Sequence, residues 1–158
     1  MTETTNEMSH RNSLVVALRL LGLLDLCAFA AATAPRSWIA LSHEGLGLGA
    51  FPQEPITGYL ARCTSVWCGL YGLLLWFVAS DVSRYSRLIT LLACAMIVHG
   101  LALIAIDLAE GMPGWWTATE GPCCSALGVL LLVLQRREAK LPYSVAGVGG
   151  TANRPADD

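Results

Sequence analysis

At 158 residues the chain has room for one domain. Hydrophobic residues make up 54% of it, charged residues only 14%, and mean hydropathy is +0.54. A soluble domain usually carries about 25% charged residues, so there is too little polar surface here to cover a water-facing globule, and a net charge of −2 gives no footing for nucleic acid.

Residues 1–13 are polar and are expected to form a disordered cytoplasmic N-terminus. The first apolar segment, 14–34, carries Arg19 and Asp25, which a simple anchor would not need. Arg11 ahead of it and Ala32-Thr33-Ala34 at its end resemble parts of a signal peptide. The apolar run is too long, contains charges and is followed by Pro35, so a retained first span is expected.

Pro35 suits the first turn of a helix, where a missing N–H costs nothing. A short helix over 36–44 follows, stopped by Gly45. Trp38, Ile39 and Leu41 give it an apolar side that suits the outer membrane interface. Pro52 and Pro55 then keep the chain extended. The second span is expected at 59–80, with Ser65, Gly69 and Gly72 at helical spacing on one side, where they allow a neighbouring helix to come close.

Residues 81–87 form a short polar turn into the third span, 87–108. Its core, 88–106, is 19 residues with one ionisable side chain, His99. At 1.5 Å per residue that is roughly 30 Å of helix, the thickness of a bilayer's hydrocarbon. The turn Gly111-Met112-Pro113-Gly114 leads to the interfacial pair Trp115 and Trp116 and a fourth span at 115–135. Pro122, preceded by Gly121, is expected to break or kink that span. Residues 138–158 are expected to be a disordered cytoplasmic tail.

The expected fold is therefore all-α: an antiparallel bundle of four transmembrane helices within 14–137, with a short outer interfacial helix. Arg11, Arg84, Arg87, Arg136, Arg137, Lys140 and Arg154 fall on one side of this plan and Arg36 alone in a loop on the other. Positive residues favour the cytoplasm, so both termini are expected inside, at a cell membrane.

The polar residues within the spans are the candidate site. Asp25, Arg62, His99, Asp107, Glu110 and Glu120 belong to the outer half of this plan, and charges at such depth face the bundle interior and pair. One expectation is an ion-pair network in which Arg62 bridges Asp25 and Asp107. The other is a polar pocket, since carboxylates exceed bases. Cys27, Cys68, Cys123 and Cys124 lie at comparable depth, as a soft-metal site or as small hydrophobes in helix interfaces. The six cysteines contain no CxxC pair. No second histidine lies at the depth of His99, so bis-histidine haem is not expected. No catalytic constellation and no cofactor can be read from the spacing.

Trp38, His43-Glu44-Gly45-Leu46-Gly47, Tyr59-Leu60-Ala61-Arg62, Asp81, Arg84-Tyr85, Asp107, Gly111-Met112-Pro113, Trp115-Trp116-Thr117 and Glu120-Gly121-Pro122 together resemble a group of small uncharacterised bacterial four-helix membrane proteins. The resemblance covers most of residues 14–137. In size and plan the chain more distantly resembles the DoxX-like proteins, some of which are membrane subunits of quinone-linked sulfur oxidoreductases; no DoxX active-site motif is present to carry over. The leading functional expectation is a non-catalytic membrane protein that binds a small ligand or a partner subunit through the outer polar pocket, in the bilayer and possible as a homo-oligomer. A quinone-linked redox subunit and a small proton or metal-ion permease are the alternatives.

Overall fold

The computed structural model describes the backbone of residues 2–139 and the side chains of residues 13–138. It is all-α, with α1 (Thr2–Leu26), α2 (Ala28–Thr33), α3 (Arg36–Gly45), α4 (Pro55–Val78), α5 (Ser86–Glu110) and α6 (Gly114–Ala139). Four stretches are long and apolar enough to cross a membrane: Ser13–Thr33, Pro55–Val78, Ser86–Glu110 and Gly114–Glu138. The chain is a multi-pass membrane protein by this criterion of length and hydropathy. Many large apolar side chains point away from the protein, including Leu24 (68% exposed) and Leu108 (70%). In a bilayer such side chains meet acyl chains.

The helix ends differ from expectation where local chemistry explains it. The backbone is helical back to Thr2, across a stretch expected to be disordered. The first span bends at Cys27, whose N–H reaches the carbonyls of both Leu23 and Leu24 (3.1 and 3.2 Å), and continues as α2. Pro55 starts α4 instead of holding the chain extended, because a proline at the first helical position gives up an N–H that would be unpaired anyway. At the end of α5, Gly111 takes a left-handed conformation (φ 68°), and its N–H and that of Met112 both bond back to Asp107 O. The expected tail lies outside the described residues from 140 onward.

Of the break or kink expected in the fourth span, the break is not present: α6 runs as one helix through Pro122. The reason is contact with α5. A Cβ on Gly121 would come within 2.5 Å of Ile104 Cγ1 and 2.6 Å of Gly100 O, and a Cβ on Gly128 within 2.7 Å of Ala93 O. Backbone rests on backbone on both sides of Pro122, so packing holds the helix where its own hydrogen-bond ladder is one donor short.

The first two spans pack in the same way. A Cβ on Gly72 would lie 2.6 Å from Gly22 O and 2.8 Å from Leu26 N, and one on Gly69 would enter the Phe29 ring. The bundle is thus two tight antiparallel pairs, α1–α2 with α4 and α5 with α6, joined where α1 meets α6. Around the bundle the order is α4, α1, α6, α5. The ring is loosest between α4 and α5, whose backbones seldom come close, although only residues 79–85 separate them and side chains of both meet in the core. The buried apolar core gathers at the end that carries this turn: Leu14, Leu18, Leu75, Val78, Val82, Ile89 and Leu131. Gln135, 3% exposed, ties that end by donating to Ser86 Oγ (2.7 Å).

At the opposite end α3 lies on a folded loop. Arg36 donates to Pro52 O (2.9 Å) and Glu54 O (3.1 Å), and its guanidinium stands over the Phe51 ring. His43 Nδ1 is 2.9 Å from Gly49 O, and its ring meets the edge of Phe51. Phe51 is buried beneath α3, while Trp38 and Leu41 point outward. An amphipathic helix with an exposed tryptophan is suited to the membrane surface.

Candidate functional site: a cavity between the two helix pairs

Where the ring is loosest there is a cavity of about 480 Å³. All four spans contribute to it. Asp25 comes from α1, Cys68 and Tyr71 from α4, His99 and Met96 from α5, and Cys124 from α6; Thr64, Trp67 and Ala95 complete the wall. Asp25 reaches it because Gly72 lets α1 come close: a Cβ on Gly72 would be 3.0 Å from Asp25 Cβ. His99 is the fourteenth of the 25 residues of α5, so the cavity lies about halfway along the spans.

The wall is mostly apolar and its polar groups are few. Asp25 is half-buried, and among the described residues nothing hydrogen-bonds or ion-pairs with its carboxylate. The Tyr71 hydroxyl is buried and has no hydrogen-bond partner among them either. Cys124 Sγ donates to Met96 O (3.5 Å). Lysine and arginine are absent from the wall.

The residues singled out from the sequence separate into groups. Asp25, His99, Cys68 and Cys124 share the cavity. Arg62 is elsewhere: its Nη1 donates to Ala32 O (2.7 Å) and its Nη2 to Ala34 O (2.9 Å). The guanidinium closes the carboxyl-terminal end of α2, whose last carbonyls lack helical partners and whose dipole favours a cation. The expected bridge from Arg62 to Asp25 and Asp107 is therefore not formed. Asp107 is 4% exposed, with Oδ2 unpartnered among the described residues. Glu110 is exposed at the end of α5. Glu120 accepts a hydrogen bond from Trp116 Nε1 (2.5 Å), and Trp116 meets the edge of Trp115.

Cys27 and Cys123 point outward. Of the two adjacent cysteines on α6, Cys124 lines the cavity, and Cys123, about 100° around the helix from it, does not. Among the described residues, no three histidine, cysteine or acidic side chains stand together as a metal site.

Thr64, Trp67, Tyr71, Ala95 and Met96 were not singled out from the sequence. A signal for some of them exists in retrospect. Thr64, Trp67, Cys68 and Tyr71 sit at i, i+3, i+4 and i+7, one face of a helix.

Compared with protein-family models, curated proteins and solved structures, the chain matches none. The likeness to DoxX-like proteins gains no support there. The assignment rests on the four spans and their packing.

Proposed function

We propose that this is a non-catalytic multi-pass membrane protein that holds a small amphiphilic molecule in the cavity between its two helix pairs. The supporting observation is that every span contributes a polar side chain to one otherwise apolar cavity about halfway along the bundle. Polar groups at that depth are expensive in hydrocarbon and gather where a ligand or a polar cavity can satisfy them. A volume of about 480 Å³ falls in the range of small-molecule sites. The seven-to-one distribution of lysine and arginine supports a cell-membrane location with both termini and the 79–85 turn in the cytoplasm and α3 outside.

The test fills the cavity. Ala95 is exposed and lines it, so Ala95→Trp places a large ring there without entering the glycine contacts. Protein purified from membranes in mild detergent should release a bound small molecule on organic extraction, and Ala95→Trp should release at least about tenfold less. Equal recovery from both proteins would overturn the reading. A quinone in the extract would instead favour a redox subunit.

A further inference from the structure

The cavity's wall specifies the class of molecule it takes, an inference that rests on the ligand-pocket reading above. Asp25 is its one acidic side chain, and no lysine or arginine lines the wall beside it. Its carboxylate is free of hydrogen bonds and ion pairs among the described residues. A half-buried carboxylate at membrane depth without a cation is costly, and a bound cation would reduce that cost. Trp67 and Tyr71, one turn apart on α4, line the same cavity, and aromatic rings attract organic cations. A bare metal ion does not suit the site: no ligand triad is assembled among the described residues, and about 480 Å³ is molecular in size.

The route of entry points the same way. The ring is loosest between α4 and α5, and His99, Ala95 and Trp67 are exposed along that gap. In a bilayer the gap faces lipid, so a molecule arriving through it must first partition into the membrane.

We propose that the cavity binds a lipophilic organic cation, with an ammonium or phosphonium centre against Asp25 and its carbon body between Trp67, Tyr71 and Met96, entering from the bilayer between α4 and α5. The site excludes lipophilic anions by the same carboxylate.

The test uses the full chain in nanodiscs of zwitterionic lipid, with binding to empty nanodiscs subtracted. Three probes of similar shape are compared: tetraphenylphosphonium, the neutral triphenylphosphine oxide and the anion tetraphenylborate. The phosphonium should bind saturably, and at least about tenfold tighter than the other two. Asp25→Asn should weaken phosphonium binding about tenfold or more while leaving the neutral probe unchanged, and Asp25→Glu should keep phosphonium binding. Trp67→Leu should weaken it by about threefold. Equal affinity for all three probes, or failure of Asp25→Glu to keep phosphonium binding, would overturn the cation inference and leave the cavity as a ligand site. Saturable binding of none of them would overturn both.

Discussion

Gly72→Leu should abolish the folded bundle, and Gly72→Ala alone should destabilise it severely. A single methyl at this position would sit 2.6 Å from Gly22 O and 2.8 Å from Leu26 N. Both are backbone atoms of α1, so no side chain can rotate out of the way. Overpacking typically costs about 1–3 kcal/mol; relief here requires moving a whole helix, so the loss should lie at or beyond the top of that range. Gly100→Ala tests the other pair, where the added Cβ would meet Gly121 O at 2.5 Å and Ser125 N at 2.7 Å. Gly45→Ala is the control, because nothing lies within 4 Å of its would-be Cβ. Thermal unfolding in detergent, followed by the fraction that stays monodisperse, should show large losses for Gly72 and Gly100 and none for Gly45. Retention of wild-type stability by Gly72→Ala would mean that α1 and α4 do not cross at these glycines.

Arg62→Leu should produce the next largest loss. Two charge-assisted hydrogen bonds, to Ala32 O and Ala34 O, disappear together. Hydrogen bonds to charged groups contribute about 1.5–3 kcal/mol each, and the abandoned carbonyls are part-buried. A fall of about 3 kcal/mol or more in unfolding free energy is expected, with Arg62→Lys intermediate because an ammonium cannot fork across two carbonyls. Asp25→Asn should add nothing to this effect and relieve none of it, since the two side chains do not meet. Recovery of Arg62→Leu by Asp25→Asn would show that the two are an ion pair, as their charges alone suggest.

The architecture was legible because its signals are long and redundant. Each span is a run of 21 to 25 residues of the right polarity, and the glycine spacing in 65–72 correctly marked a close crossing. Helix ends were less legible, because one residue decides them: Pro55 begins a helix or delays one depending on whether its φ is used as an N1 position. Pro122 marked no break for a related reason. The cost of a missing N–H is visible in sequence, whereas the backbone contact with α5 that offsets it is not.

The site was half legible. Asp25, Cys68, His99 and Cys124 stand out against apolar surroundings, and they do share one cavity. Trp67, Tyr71 and Met96 do not stand out, since aromatic and apolar residues are expected everywhere in a span. The ion-pair expectation failed because charge was matched only to charge. Arg62 found backbone carbonyls at the end of α2, where the chain turns extended at Ala34 ahead of Pro35.

The cavity itself is tested most directly by crosslinking two neighbouring cysteines that face opposite ways. In a variant retaining only Cys68 and Cys124, a short bis-methanethiosulfonate should join the two within one chain, since both side chains line the same space. In a variant retaining only Cys68 and Cys123, which points out of the bundle, the same reagent should leave the pair unlinked. Linking of Cys123 as readily as Cys124, or of neither, would contradict the account.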